Sequence, residues 1–145
     1  MLIRDVAGSP RITAGDGTDL CELLHPSREG LDLPYSIAHA SLAPGKASHP
    51  HRLLTSTEVY YILSGQGLMD VDGEREILGP GNLVLIPAGS WQHIRNVGSV
   101  DLIFLAVVHP YWRAEDEISN PLPRPSKEGF VSIQENGVVK ENGRV

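Results

Sequence analysis

No stretch of this chain is long and apolar enough to cross a bilayer. The longest apolar run, Leu102-Ile103-Phe104-Leu105-Ala106-Val107-Val108, falls far short of the roughly 20 residues a spanning helix needs. Arg4 and Asp5 break any apolar stretch at the N-terminus, so a signal peptide is not expected. Cysteine is almost missing. The single Cys21 excludes an intrachain disulfide, fits a reducing cytoplasm, and is expected as a small buried hydrophobe. Basic clusters are lacking too: 12 Lys+Arg stand against 18 Asp+Glu, a formal charge of −6. That balance argues against a nucleic-acid or anionic-membrane partner. Long amphipathic helical patterns, internal repeats and low-complexity tracts do not occur.

Punctuation is abundant instead. The 15 glycines and 11 prolines separate apolar runs of about 5 to 8 residues, the pattern of an all-β chain. At 145 residues and 41% hydrophobic content the chain suits one domain with a modest core.

The segment from Met1 to Leu33 is weakly patterned and predicts an edge strand wrapping the main body, with Gly15-Asp16-Gly17 as a turn and Leu20 to Leu24 as a short strand or helical turn. His25, beside Pro26, is expected in an exposed turn. Tyr35 to Leu42 alternates Tyr35, Ile37, His39 and Ser41 with the smaller Ser36, Ala38, Ala40 and Leu42, which predicts a strand. His39 either lines a pocket or is a satisfied core histidine. Val59 to Leu63, Gly67 to Val71 and Glu74 to Leu78 follow, the last two joined by the hairpin signal Asp72-Gly73; together they predict an antiparallel meander. Leu83 to Ile86, Trp91 to Asn96 and Asp101 to His109 complete the strands, and even short spacing of this kind suggests a sandwich or barrel. Trp112 to Glu117 predicts one helical turn. Asn120-Pro121-Leu122-Pro123-Arg124-Pro125 reads as an extended arm, and Phe130 to Val139 as a small hairpin.

Chemistry concentrates in His49-Pro50-His51 and Glu58. On an extended backbone His49 and His51 point the same way about 6.6 Å apart, within reach of one metal ion. Glu58 opens a β-branched and aromatic strand, a rigid platform for a ligand.

Gly45, His49, His51, Glu58 and Gly65, with the six-residue gap between the last two, form one motif. Gly81, Pro87, Gly89 and Asn96 form a second, in register. Together these motifs resemble those of the cupin superfamily, and the stretch through Tyr111-Trp112-Arg113 is similar to the end of small bacterial single-domain cupins. The gap from His51 to Glu58 is about two residues longer than the family's usual motif. The resemblance implies a single-domain jelly-roll barrel, or double-stranded β-helix, over residues 18–117. An N-terminal edge segment would occupy 1–17 and a proline-rich arm 118–145.

The resemblance further implies a divalent transition metal (Fe, Mn, Ni, Co or Zn) held by His49, His51 and Glu58. The family's fourth ligand position is occupied by Gln92, with His93 one residue late. Strand alternation turns Gln92 inward; a bulge at Ser90-Trp91 would bring in His93. Tyr60, on the face of Glu58, is a candidate proton donor or a packing residue. Two imidazoles and a carboxylate leave open positions on a metal. The expected function is therefore a small-molecule enzyme, oxygenase-like, acting on a chelating oxygenated substrate. The alternatives are a Lewis-acid isomerase, cyclase or lyase, or a non-catalytic module binding a sugar or small acid. Tyr61 and Leu63, on the opposite face, would meet another sheet or a second subunit, and a homodimer is expected.

Overall fold

The computed structural model describes residues 1–120; the expected proline-rich arm from Pro121 onward and the terminal hairpin lie outside them. The strands are β1 (Arg11–Thr13), β2 (Asp19–Leu24), β3 (Ser36–Leu42), β4 (His51–Leu53), β5 (Thr57–Ser64), β6 (Gly67–Val71), β7 (Glu74–Leu78), β8 (Leu83–Ile86), β9 (Gln92–Asn96), β10 (Leu102–His109) and β11 (Glu117–Ser119). One turn of helix, α1 (Pro26–Glu29), and a 3₁₀ turn at Ala114–Asp116 complete the described elements. The fold is all-β. A six-stranded sheet in the order β1-β2-β3-β10-β5-β8 lies against a five-stranded sheet in the order β11-β4-β9-β6-β7, and every pairing is antiparallel.

The meander read from the sequence holds only for its second half. β6 and β7 pair through a hairpin whose turn residues Asp72 and Gly73 both have positive φ, 51° and 89°, the backbone twist that Asp-Gly favours. β5, however, pairs with β10 and β8 and not with β6. Between them the chain passes from one sheet to the other at Gly65, whose φ is +80°. Local patterning sees the glycine but not the change of sheet.

Alternation decides what each strand buries. Leu42, Tyr60, Ile62, Met69, Ile86, Ile94, Leu102 and Phe104 point between the sheets and form the core; each contributes roughly 1.5 to 3 kcal/mol for leaving water. Cys21 is fully buried, as its residue type predicts. Asn96, the asparagine of the second motif, is structural: its Nδ2 donates to the carbonyls of Leu42 and Val100, each at 2.8 Å, and its Oδ1 accepts from the Gly98 amide at 2.9 Å. It ties the end of β9 to β3 and to the turn before β10.

His25 departs from its expected exposure. Its Nε2 meets the Trp112 carbonyl at 2.8 Å and its ring stands edge-on to Tyr111, so it is a buried strut under the segment that leaves the barrel. A contact between residues that distant in sequence has no local signature.

Candidate metal and substrate site

Glu58 sits near the start of β5, pinned between β10 and β8, and its side chain points between the sheets. Cross-strand pairing sets His51 of β4 directly opposite Gln92 of β9, which brings both to the same place. Gln92 Nε2 donates to Glu58 Oε2 at 2.6 Å, and His51 Nε2 lies 4.0 Å from that same oxygen. All three side chains are buried.

The orientation of His51 is informative. Its Nδ1 is 2.9 Å from the carbonyl oxygen of His49; donating there orients the ring with Nε2 toward the carboxylate, and in the neutral ring Nε2 is the free lone pair. Asp16 Oδ2 stands 3.7 Å from the same Nδ1. Oε1 of Gln92 is buried with no hydrogen-bond partner. Gln92 thus satisfies Glu58 with its Nε2 while its own Oε1 stays buried and unpaired, an arrangement that costs free energy unless a cation or proton joins it.

His49 is not brought to this point. It precedes β4 in a loop, where strand alternation is not enforced, and its ring packs over Gly17 while its amide donates to the Asp16 carbonyl. His93 lies opposite Asp70 in an unbulged ladder between β6 and β9, on the face away from Gln92 and Ile94. Tyr60 is buried below Glu58 with its ring 4.5 Å from that of Phe104. His39 lies on the other face of β3 from the small Ala38 and Ala40, its Nδ1 unpartnered. Burial first, and then the Arg11 charge, lower its pKa.

A cavity of about 230 Å³ opens beside this group. Ala38, Ala40, Phe104 and Ala106 form its apolar wall, and Asp16, His51, Glu58, Tyr60 and Glu117 its polar end. Burial pushes the Glu58 carboxyl up to about 7; His51 and the Gln92 hydrogen bond oppose the rise, and Asp16 and Glu117 add to it. Burial, followed by the Glu58 charge, holds the Tyr60 phenol well above its ordinary range.

Sequence reasoning missed Asp16 and Glu117. Asp16 stood in a stretch read only as a turn, and Glu117 at the end of a predicted helical turn. Both reach the site through long-range contacts, Gly17 against His49 and β11 against β4. The loop lengthened between His51 and Glu58 is likewise held from afar: Asp116 Oδ1 accepts from the amide and hydroxyl of Thr55, and Oδ2 from the Ser56 amide. Burial works against the Asp116 charge, but these hydrogen bonds outweigh it and lower the pKa.

Do these residues fit a metal? Among the described residues no three His, Cys, Asp or Glu side chains gather to hold an ion by themselves. His51 Nε2 and Gln92 Nε2 nevertheless both face the Glu58 carboxylate, with the Gln92 Oε1 left unpartnered, and imidazole nitrogen and carboxylate or amide oxygen suit a divalent first-row ion. His51 and Glu58 fit, and Gln92 would join them with its amide oxygen turned to the ion; the His49 ring packs on Gly17.

A cupin-domain family profile matches residues 38–108, the span from β3 to β10 that carries Glu58, His51 and Gln92. The chain belongs to the cupin family. This cupin is 38% identical over 108 residues to an uncharacterised protein of Methanocaldococcus jannaschii, covering 74% of this chain and 84% of that one. It is 30% identical over 89 residues to 5-aminosalicylate 1,2-dioxygenase of a Comamonas species, covering 61% of this chain but only 24% of that enzyme. Among solved structures it superposes on a nucleoside dehydratase from Streptomyces with a TM-score of 0.68 at 21% identity, covering 83% of this chain and 92% of that one, a likeness of fold.

Proposed function

We propose that this cupin is a divalent-metal-dependent enzyme of the oxygenase type, acting on a small chelating oxygenated substrate such as an enol, diketone or phenol. The observation that carries this reading is the buried cluster in which His51 Nε2 and Gln92 Nε2 face the Glu58 carboxylate while Gln92 Oε1 has no partner, beside a cavity sized for a small molecule. The similarity to an aminosalicylate dioxygenase supports the oxygenase type of this reading, though not a substrate of the same charge. A divalent ion held by His51, Glu58 and Gln92 would supply Lewis acidity and an anchor for substrate oxygens. The chain does the rest. Gln92 orients Glu58 through its amide, the His49 carbonyl orients His51, and Tyr60 offers a hydroxyl that keeps its proton. Ala38, Ala40 and Phe104 provide an apolar wall that excludes water from the bound face. Protein reconstituted with Fe, Mn, Ni or Co should consume oxygen with a substrate of this kind. Turnover without oxygen would move the assignment to an isomerase, cyclase or lyase, and tight binding without turnover to a non-catalytic module.

The lone buried Cys21 supports a reducing, cytoplasmic setting. Among the described residues no helix is long and apolar enough to cross a membrane. A homodimer is part of the same proposal. Tyr61 and Leu63 on β5 and Leu83 and Leu85 on β8 are exposed, and Tyr61 lies between Leu83 and Leu105 in the ladder, giving a contiguous apolar face of the kind that marks an interface. Light scattering at micromolar concentration should give a dimer for the wild type and a folded monomer for Leu85→Arg; a monomeric wild type contradicts the proposal.

A further inference from the structure

Resting on the reading of the cavity as the substrate site, we infer that it takes uncharged or ammonium-bearing small molecules and turns away carboxylates and phosphates. Four carboxylates line it, those of Asp16, Glu22, Glu58 and Glu117. The one guanidinium, Arg28, is already paired with Glu22 at 2.7 Å, and among the described residues no lysine lines the cavity.

The acids are fixed by the fold. Asp16 accepts from the amide and hydroxyl of Thr18 at 2.9 and 2.8 Å. Glu117 accepts from Trp112 Nε1 at 2.7 Å and from the Ser119 hydroxyl at 3.1 Å. Neither can swing away from an incoming anion without breaking these bonds.

Beside the acids, this end carries only His51 and the Tyr60 hydroxyl among the groups placed there. His51 Nδ1 is held at the His49 carbonyl, and the Tyr60 hydroxyl, buried beside the Glu58 charge, keeps its proton. An anion brings only more acceptors. A hydroxyl or an ammonium brings donors that the carboxylates can accept. A divalent ion at His51, Glu58 and Gln92 would offset two charges and still leave the lining with an excess of carboxylate.

The test is a matched series on one skeleton: 3-hydroxybenzylamine, 3-hydroxybenzyl alcohol and 3-hydroxybenzoate, titrated calorimetrically into the purified protein at pH 7 and 0.1 M salt, with and without Mn(II). The amine is expected to bind about tenfold or more tighter than the carboxylate, with the alcohol between them. In Glu117→Gln, whose amide can still accept from Trp112, the amine-to-carboxylate ratio should fall several-fold. Carboxylate binding equal to the alcohol's would overturn the charge selectivity and leave the cavity as a ligand site. Failure of all three to bind would overturn both. If Glu117→Gln fails to fold, the wild-type series alone decides.

Discussion

Glutamine in place of Glu58 is expected to stabilise the metal-free protein at pH 8 while abolishing its uptake of divalent ions. Glu58 is a carboxylate that the fold holds out of water, and burial is the main reason its pKa rises from 4.5 to about 7. The folded state therefore keeps a proton that the unfolded state gives up. Stability is lost as pH rises from about 4.5 through about 7, and is level above that. The shift corresponds to a cost on the order of 3 kcal/mol at pH 8 as an upper bound. An amide of the same shape carries no charge to desolvate, so Glu58→Gln should raise the metal-free Tm at pH 8 by several degrees and change it far less at pH 5. Mn(II) should then raise the Tm of the wild type at pH 8 and leave the variant unmoved, because a bound cation compensates the charge only where one exists. Thermal unfolding at the two pH values, in chelator and in Mn(II), reads all of this. A wild type more stable in chelator at pH 8 than at pH 5 would contradict it. Glu58 would then be a residue that keeps function at a cost in stability.

Alanine at Gly65 should damage the fold more than alanine at another motif glycine, Gly81. Both have positive φ, +80° and +86°, so each loses about 1 kcal/mol to backbone preference alone. The difference is in what surrounds them. A Cβ at Gly65 would land 2.6 Å from the Asp101 carbonyl oxygen and 2.8 Å from Leu102 Cα, whereas at Gly81 it meets nothing within 4 Å. The clash at Gly65 is with backbone, which cannot rotate away, and it falls where the chain changes sheets against the start of β10. Gly65→Ala should therefore cost about 3 kcal/mol or more and Gly81→Ala about 1 kcal/mol, measured as the shift in urea midpoint at unchanged slope. Equal losses would show that the close approach at Gly65 is not what requires glycine there.

These contrasts explain which features were legible in the sequence. Most strands from Ser36 to His109, though not β4, could be located because turn residues punctuate short β-branched or apolar runs, and because Asp72-Gly73 can do little except turn. The inward side of Gln92 followed from period-two alternation along β9, whereas Ala38 and Ala40 were legible only as the small face of a strand, not as a cavity wall. Alternation failed at His49, since that residue lies before the ladder begins and packs instead on Gly17. It gave the wrong neighbour for β5, because the change of sheet at Gly65 is a tertiary event. Asp16, Glu117 and the Asp116 clamp on the Thr55-Ser56 loop were invisible for a related reason: each acts on residues more than 30 positions away, and a single sequence carries no local mark of such a contact. Gly65 and Asn96 stood out as motif residues, yet what they do is hold backbone together.

The central claim is that His51, Glu58 and Gln92 form one metal-binding centre to which His93 does not contribute. It is tested most directly by the metal content of the wild type, His51→Ala, Gln92→Ala and His93→Ala, each purified without added metal and then equilibrated with Mn(II). The prediction is one ion per chain in the wild type and in His93→Ala, none in His51→Ala, and a weakened site in Gln92→Ala. Full occupancy in His51→Ala, or a loss confined to His93→Ala, would contradict it.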